Sequence, residues 1–234
     1  MSDAVIPLEA AAVPYTALVQ QFRGAPAGKL FCLHGSSAVF RLSLFAAAHV
    51  LLNGVPVAVV DGTNRFDVYY LAEFARKFTV AQSRNGVETA VTPEFLLRNI
   101  FVSRAFTCYQ MDAAVTERLP GFLRRHGSPV ALIFGLLDTF YDDQAPLHDV
   151  TAAVQRVINA LRAMRENNIS VLLASRDTLP ASPERHALFP RVAAVMDRIY
   201  AVNDVEGKPR IVAETAGQIS CGAVQHRTQW KRRA

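Results

Sequence analysis

The chain has 234 residues, 51% of them hydrophobic, enough to bury a large core in one α/β-sized domain with short extensions. Its formal net charge is +5, but Arg227, Lys231, Arg232 and Arg233 supply four of those charges from the last ten residues, which excludes a basic field over the whole protein. Three widely spaced cysteines without C-x-x-C spacing, no secretory signal pattern and no uninterrupted apolar span lead to the expectation of a cytoplasmic protein rather than a disulfide scaffold or a membrane protein.

In chain order, residues 1–14 read as an N-terminal arm. Residues 15–22 have the spacing of a short amphipathic helix, and Gly24, Pro26 and Gly28 break it. A strand is expected at 29–33 and a helix at 41–52. Residues 55–60 form a continuous apolar run, as in a parallel strand covered on both faces. Asp61-Gly62-Thr63-Asn64 reads as a loop, and residues 67–78 repeat apolar groups at helical spacing. Thr92-Pro93-Glu94 has the form of a helix start, with Thr as N-cap and Pro at the first helical position.

Strands are expected at 100–106, 129–134 and 169–174. Residues 108–126 read as mainly helical with a break near Pro120, and 150–165 as the clearest amphipathic helix. Residues 192–196 continue a short helix, and 198–202 with 209–213 form a hairpin around Glu206-Gly207. Alternating strands and helices imply a mainly parallel twisted sheet flanked by helices, whose ligands sit at the carboxyl ends of the strands. The expected organisation is an arm at 1–14, a core domain at 15–217 and a basic tail at 218–234.

Leu33-His34-Gly35-Ser36-Ser37-Ala38-Val39-Phe40-Arg41-Leu42-Ser43 occupies the place of a phosphate-binding loop. Against the pattern G-x-x-x-x-G-K-[ST], only Gly35 matches. Phe40 stands where a glycine would let the backbone approach phosphate, Arg41 where the lysine would be, and Leu42 where a hydroxyl would ligate Mg²⁺. Gly35, Ser36, Ser37, Arg41 and Ser43 remain as candidate anion-binding residues.

The order of these pieces resembles the ATPase core of the RecA/RadA recombinase family, in its archaeal–eukaryotic branch, from about residue 15 to 214. The segment Asp61-Gly-Thr-Asn-Arg-Phe-Asp67 resembles the family's second-strand motif. Val130-Ala-Leu-Ile-Phe134 resembles its Walker B strand, and Val171-Leu-Leu-Ala-Ser175 the strand before its second DNA-binding loop. The departures are as informative. Gly135-Leu136-Leu137 stands where the Walker B aspartate belongs, and Asp138 comes too late. Asp61 replaces the catalytic glutamate, and Ser175 or Arg176 replaces a glutamine. Phosphoryl transfer depends on Lys, Mg²⁺ and a water-orienting carboxylate, so the resemblance implies a degenerate ATPase with no hydrolysis and no required cofactor, although ATP binding stays open.

What the resemblance implies for function is a recombinase-like accessory or regulatory protein of DNA repair or recombination that binds DNA, single-stranded by preference, or a recombination partner. Two loops of the family touch DNA. The first corresponds to residues 135–149, which carry Asp138, Asp142, Asp143 and Asp149 and no Lys or Arg. The second, 176–191, carries Arg176, Arg185 and Arg191. With Arg227, Trp230, Lys231, Arg232 and Arg233 of the tail, these are the DNA-binding candidates. The alternatives are a nucleotide-independent protein–protein module on the same fold and a weak ATP-binding protein with an atypical loop. An α/β-hydrolase would need a G-x-S-x-G elbow, which the chain lacks. Asp142, Asp143, His148 and Asp149 offer oxygen-rich metal ligands but read more simply as loop and helix-start acids. The remaining histidines read as ordinary surface or core residues.

Overall fold

The computed structural model describes residues 12–23, 28–84, 91–178, 180 and 182–217. The arm up to residue 11 and the tail from residue 218, with Arg227, Trp230, Lys231, Arg232 and Arg233, lie outside the described residues. The elements follow in order: α1 (Tyr15–Arg23), β1 (Leu30–Gly35), α2 (Ala38–Leu51), β2 (Val57–Asp61), α3 (Val68–Arg84), α4 (Pro93–Leu97), β3 (Ile100–Arg104) and α5 (Cys108–Ala113). A π-helical turn (Ala114–Arg118) leads into α6 (Leu119–His126), then β4 (Val130–Phe134), α7 (Leu136–Phe140), α8 (Leu147–Glu166) and β5 (Ser170–Arg176). A 3-10 turn (Pro183–Ala187), α9 (Leu188–Ala193), β6 (Arg198–Val205) and β7 (Lys208–Glu214) complete the order.

The seven strands form one sheet in the order β3-β2-β4-β5-β1-β6-β7. All neighbours are parallel except β6 and β7, which pair antiparallel as a C-terminal hairpin. The period-two alternation of strands sorts their side chains cleanly. Phe31, Leu33, Val57, Val59, Leu132, Phe134 and Leu172 pack with α1–α4 on one face. Leu30, Cys32, Ala58, Val60, Ala131, Ile133 and Leu173 pack with α5–α9 on the other. Covering both faces is what makes β4 apolar at every position and β2 apolar up to its last residue, Asp61.

Local chemistry sets several boundaries. The Thr92 side chain caps α4 by accepting from the Phe95 amide at 3.2 Å. Helix α8 starts three residues before the expected 150. Its apolar stripe, Val150, Val154, Val157, Ile158, Leu161 and Met164, is buried as its spacing requires. In the 108–126 stretch the irregularity is a π turn just before Pro120, which stands in the first turn of α6, where its missing N–H costs nothing. No helix among the described residues is long and apolar enough to cross a membrane.

Phe134 lies at the end of the interior strand β4 with no exposed surface and meets Phe40 edge-to-face at 5.4 Å. Phe134→Ala is expected to cost about 3–5 kcal/mol, because the rigid strand cannot collapse into the void. Urea unfolding would measure it; a loss under about 1 kcal/mol would mean that the α2 side of the sheet is loosely packed.

Candidate functional site at the carboxyl edge of the sheet

Beyond the strand ends, the hydrogen-bond ladder continues for one more rung at five places. The Ser36 amide donates to the Val202 carbonyl at 2.8 Å, Gly62 to Phe134 at 2.9 Å, and Ala105 to Asp61 at 3.1 Å. Gly135 donates to Ala174 at 2.8 Å and Asp177 to Gly35 at 2.9 Å. Each N–H that would otherwise point out of the edge toward an anion is therefore spent on a neighbouring strand.

The β1–α2 connection shows the consequence. Only Ser36 and Ser37 separate Gly35 from the first residue of α2, because the helix begins at Ala38 rather than at Arg41. Gly35 has φ +122°, and a Cβ there would lie 2.3 Å from the Val202 carbonyl oxygen. Glycine is thus required here for close passage of β1 against β6. Ser37 has helical dihedrals and makes no side-chain cap, and the Ser36 hydroxyl bends back to the Ala38 amide at 3.4 Å. Phe40, 3% exposed, packs its ring edge-to-face on Phe134 at the end of β4. Ser43 is fully buried, and its hydroxyl donates to the Val39 carbonyl at 2.8 Å. Arg41 is exposed but turns away over the Tyr70 ring, 5.1 Å from its centroid. The five candidate anion-binding residues are not gathered around a common space.

Asp61 is fully buried and holds the loop after β2. Its Oδ1 accepts from the Thr63 and Arg65 amides at 3.0 and 3.1 Å, and its Oδ2 from the Phe66 amide at 2.9 Å. Such a carboxylate fixes a turn, leaving it poorly placed to orient a water. Asp138, in the first turn of α7, accepts from the Thr178 hydroxyl at 2.6 Å and lies 3.9 Å from Arg176.

The basic candidates separate in space. Arg185 is 3% exposed and donates to the carbonyls of Phe140, at 2.6 Å, and Ala145. It braces the turn after α7, leaving no donor face for a phosphate backbone. Arg191 reaches the Gln155 side chain at 3.1 Å, and Arg176 stays exposed. The acids of 135–149 do not converge: Asp142 accepts from the Gln144 amide at 3.0 Å, and Asp149 is 3.2 Å from His148. Among the described residues no three His, Cys, Asp or Glu side chains are placed to hold a metal.

One cluster escapes sequence reasoning. His34, at the end of β1 with a side chain 12% exposed, sets Nδ1 3.3 Å from Asp177 and Nε2 2.8 Å from Glu214. Phe189 of α9 covers the ring at 5.1 Å. Burial alone would push the imidazole down, but the hydrogen bonds to Asp177 and Glu214 outweigh it and raise it to about 9. With both nitrogens bonded to carboxylates, His34 is a cation that ties β7 and the end of β5 to β1, and has no free nitrogen to act as a base. Beneath it, burial and then Glu214 push the Cys32 thiol up to about 12, so it stays neutral. No local signal foretells this cluster, since the partners lie 143 and 180 residues away.

The sign of the pH effect follows. His34 is raised from 6.5 to about 9, so its contribution is complete below pH 6.5 and is lost as pH rises through 9. The melting temperature should therefore fall between pH 7 and 10 by an amount equivalent to about 2–3 kcal/mol, and this slope should be absent in His34→Gln. Equal slopes in both proteins would assign the alkaline loss elsewhere.

No protein-family model matches the chain, and no curated protein matches it.

Proposed function

We propose that the chain is a recombinase-like accessory or regulatory protein on a RecA-like core, acting by binding and without hydrolysing ATP. The observation that carries this reading is the two-residue β1–α2 connection, with its first amide bonded to Val202 and Phe40, at the phosphate-loop glycine position, buried against Phe134. A phosphate cradle needs several unpaired amides and a gap that admits the anion. The mainly parallel sheet with its loop strand β1 inside it, between β5 and β6, and an antiparallel C-terminal hairpin is compatible with the RecA-like core. Asp61 spent on its own loop removes the carboxylate that would orient a water.

The edge favours a repair or recombination protein over DNA as partner of the core. Residues 135–149 carry four acids and no Lys or Arg, and buried Arg185 leaves Arg176 and Arg191 as the cations of the second loop. DNA contact is the second reading, carried by the four cations that the tail concentrates in ten residues.

Two measurements test this. Millimolar ATP with Mg²⁺ should leave the melting temperature unchanged and release no phosphate above blank; a nucleotide at 100 times its Kd would stabilise by about 2.7 kcal/mol, and such a shift would restore the nucleotide reading. In fluorescence anisotropy with single-stranded DNA, binding by the full chain should be salt-sensitive and should vanish when residues 225–234 are removed. Undiminished binding by the shortened chain would place DNA on the core.

A further inference from the structure

Sequence resemblance puts Arg41 at the cation position of a phosphate loop, yet its side chain serves another space. It lines a cleft of about 430 Å³ between α2 and α3, on the outer face of the molecule. From the aromatic side, the walls are Phe45 and Phe74, whose rings stand edge-to-face at 5.3 Å and 87°, with His49 T-shaped against Phe45 at 4.6 Å. Tyr70 flanks the opposite side beneath the Arg41 guanidinium. These rings are half-buried: Tyr15 packs on Phe45 at 4.6 Å and Phe78 stacks on Phe74 at 6.0 Å, so it is their remaining surface that lines the cleft.

The charges around the mouth are unequal. Glu73 and Lys77, four residues apart on α3, pair at 2.6 Å and neutralise each other. Arg41 closes no salt bridge among the described residues; it lies over the π-face of Tyr70 and, after Lys77, helps to hold the Glu73 carboxyl low. The cleft is therefore an aromatic slot whose rim carries two cations, Arg41 and Lys77, against one carboxylate. Its volume falls in the range of small-molecule sites, roughly 300–1,000 Å³.

We infer that the α2–α3 cleft binds a small aromatic acid, its ring against the Phe45 and Phe74 side chains that line the cleft and its carboxylate or phosphate on Arg41. The planar guanidinium suits this role because it pairs with an oxyanion in a bidentate fork while still stacking on an aromatic face. Excess positive charge selects the anion over a neutral ring of the same shape. The site lies on the helical face away from the strand ends and does not rest on what the carboxyl edge binds.

The test is isothermal titration of the full chain with 1-naphthoate and with its neutral counterpart 1-naphthamide. The native protein should bind naphthoate at least tenfold more tightly, about 1.4 kcal/mol. Arg41→Gln, an exposed position where folding is readily verified by circular dichroism, should bind both compounds equally. The inference is overturned if naphthoate gives no saturable heat, if the native protein does not distinguish acid from amide, or if Arg41→Gln keeps the preference.

Discussion

The hydrogen bond from the Ser36 amide to the Val202 carbonyl, 2.8 Å long, decides how the chain leaves β1. Extending the β1–β6 ladder by one rung holds Ser36 against the sheet, and only Ser37 remains before the helix. A phosphate loop needs the chain to rise off the sheet and aim several amides at one point. Here the ladder takes the first amide and helix α2 begins too early for the others to converge. Gly35 serves the same constraint: its φ of +122° and the 2.3 Å that a Cβ would leave to Val202 admit no other residue.

Phe40 completes what the ladder begins. Its ring is buried in the core and meets Phe134 of β4 edge-to-face. Burying a ring of that size contributes about 1.5–3 kcal/mol. Opening the turn for a phosphate would give up that burial and break the Ser36 bond, with no lysine or hydroxyl in place to offset the loss. The closed turn is thus held by packing and by hydrogen bonding together. Asp61 extends the pattern to β2, where three amides of the following loop bond to its carboxylate.

What could be read from sequence depended on the range of the interaction. The apolar runs of β2 and β4 and the stripe on α8 announce themselves because burial on one or two faces is written in a local period. The Thr92 cap was legible for the same reason. The start of α2 was not: no capping side chain marks it, and alignment to a phosphate loop places the helix three residues late. Helix α7, at five residues, is too short to show a period. Arg185 read as a solvent-facing cation because its acceptors, Phe140 and Ala145, are carbonyls at a turn 40 or more residues earlier. His34 is the extreme case, its character set by two carboxylates on distant elements.

The division of charge between the edge and the outer face follows from these constraints. A buried charged group at the carboxyl edge is desolvated by its neighbours, and His34 is held there by pairing with Asp177 and Glu214. Arg41 escapes this because α2 begins early: three residues into the helix, it has turned clear of the strand ends and emerges beside α3. The same early start that commits the first amide of the β1–α2 turn to Val202 also delivers Arg41 to the cleft beside α3. The closed turn at the edge and the cation at that cleft are two results of where the helix begins.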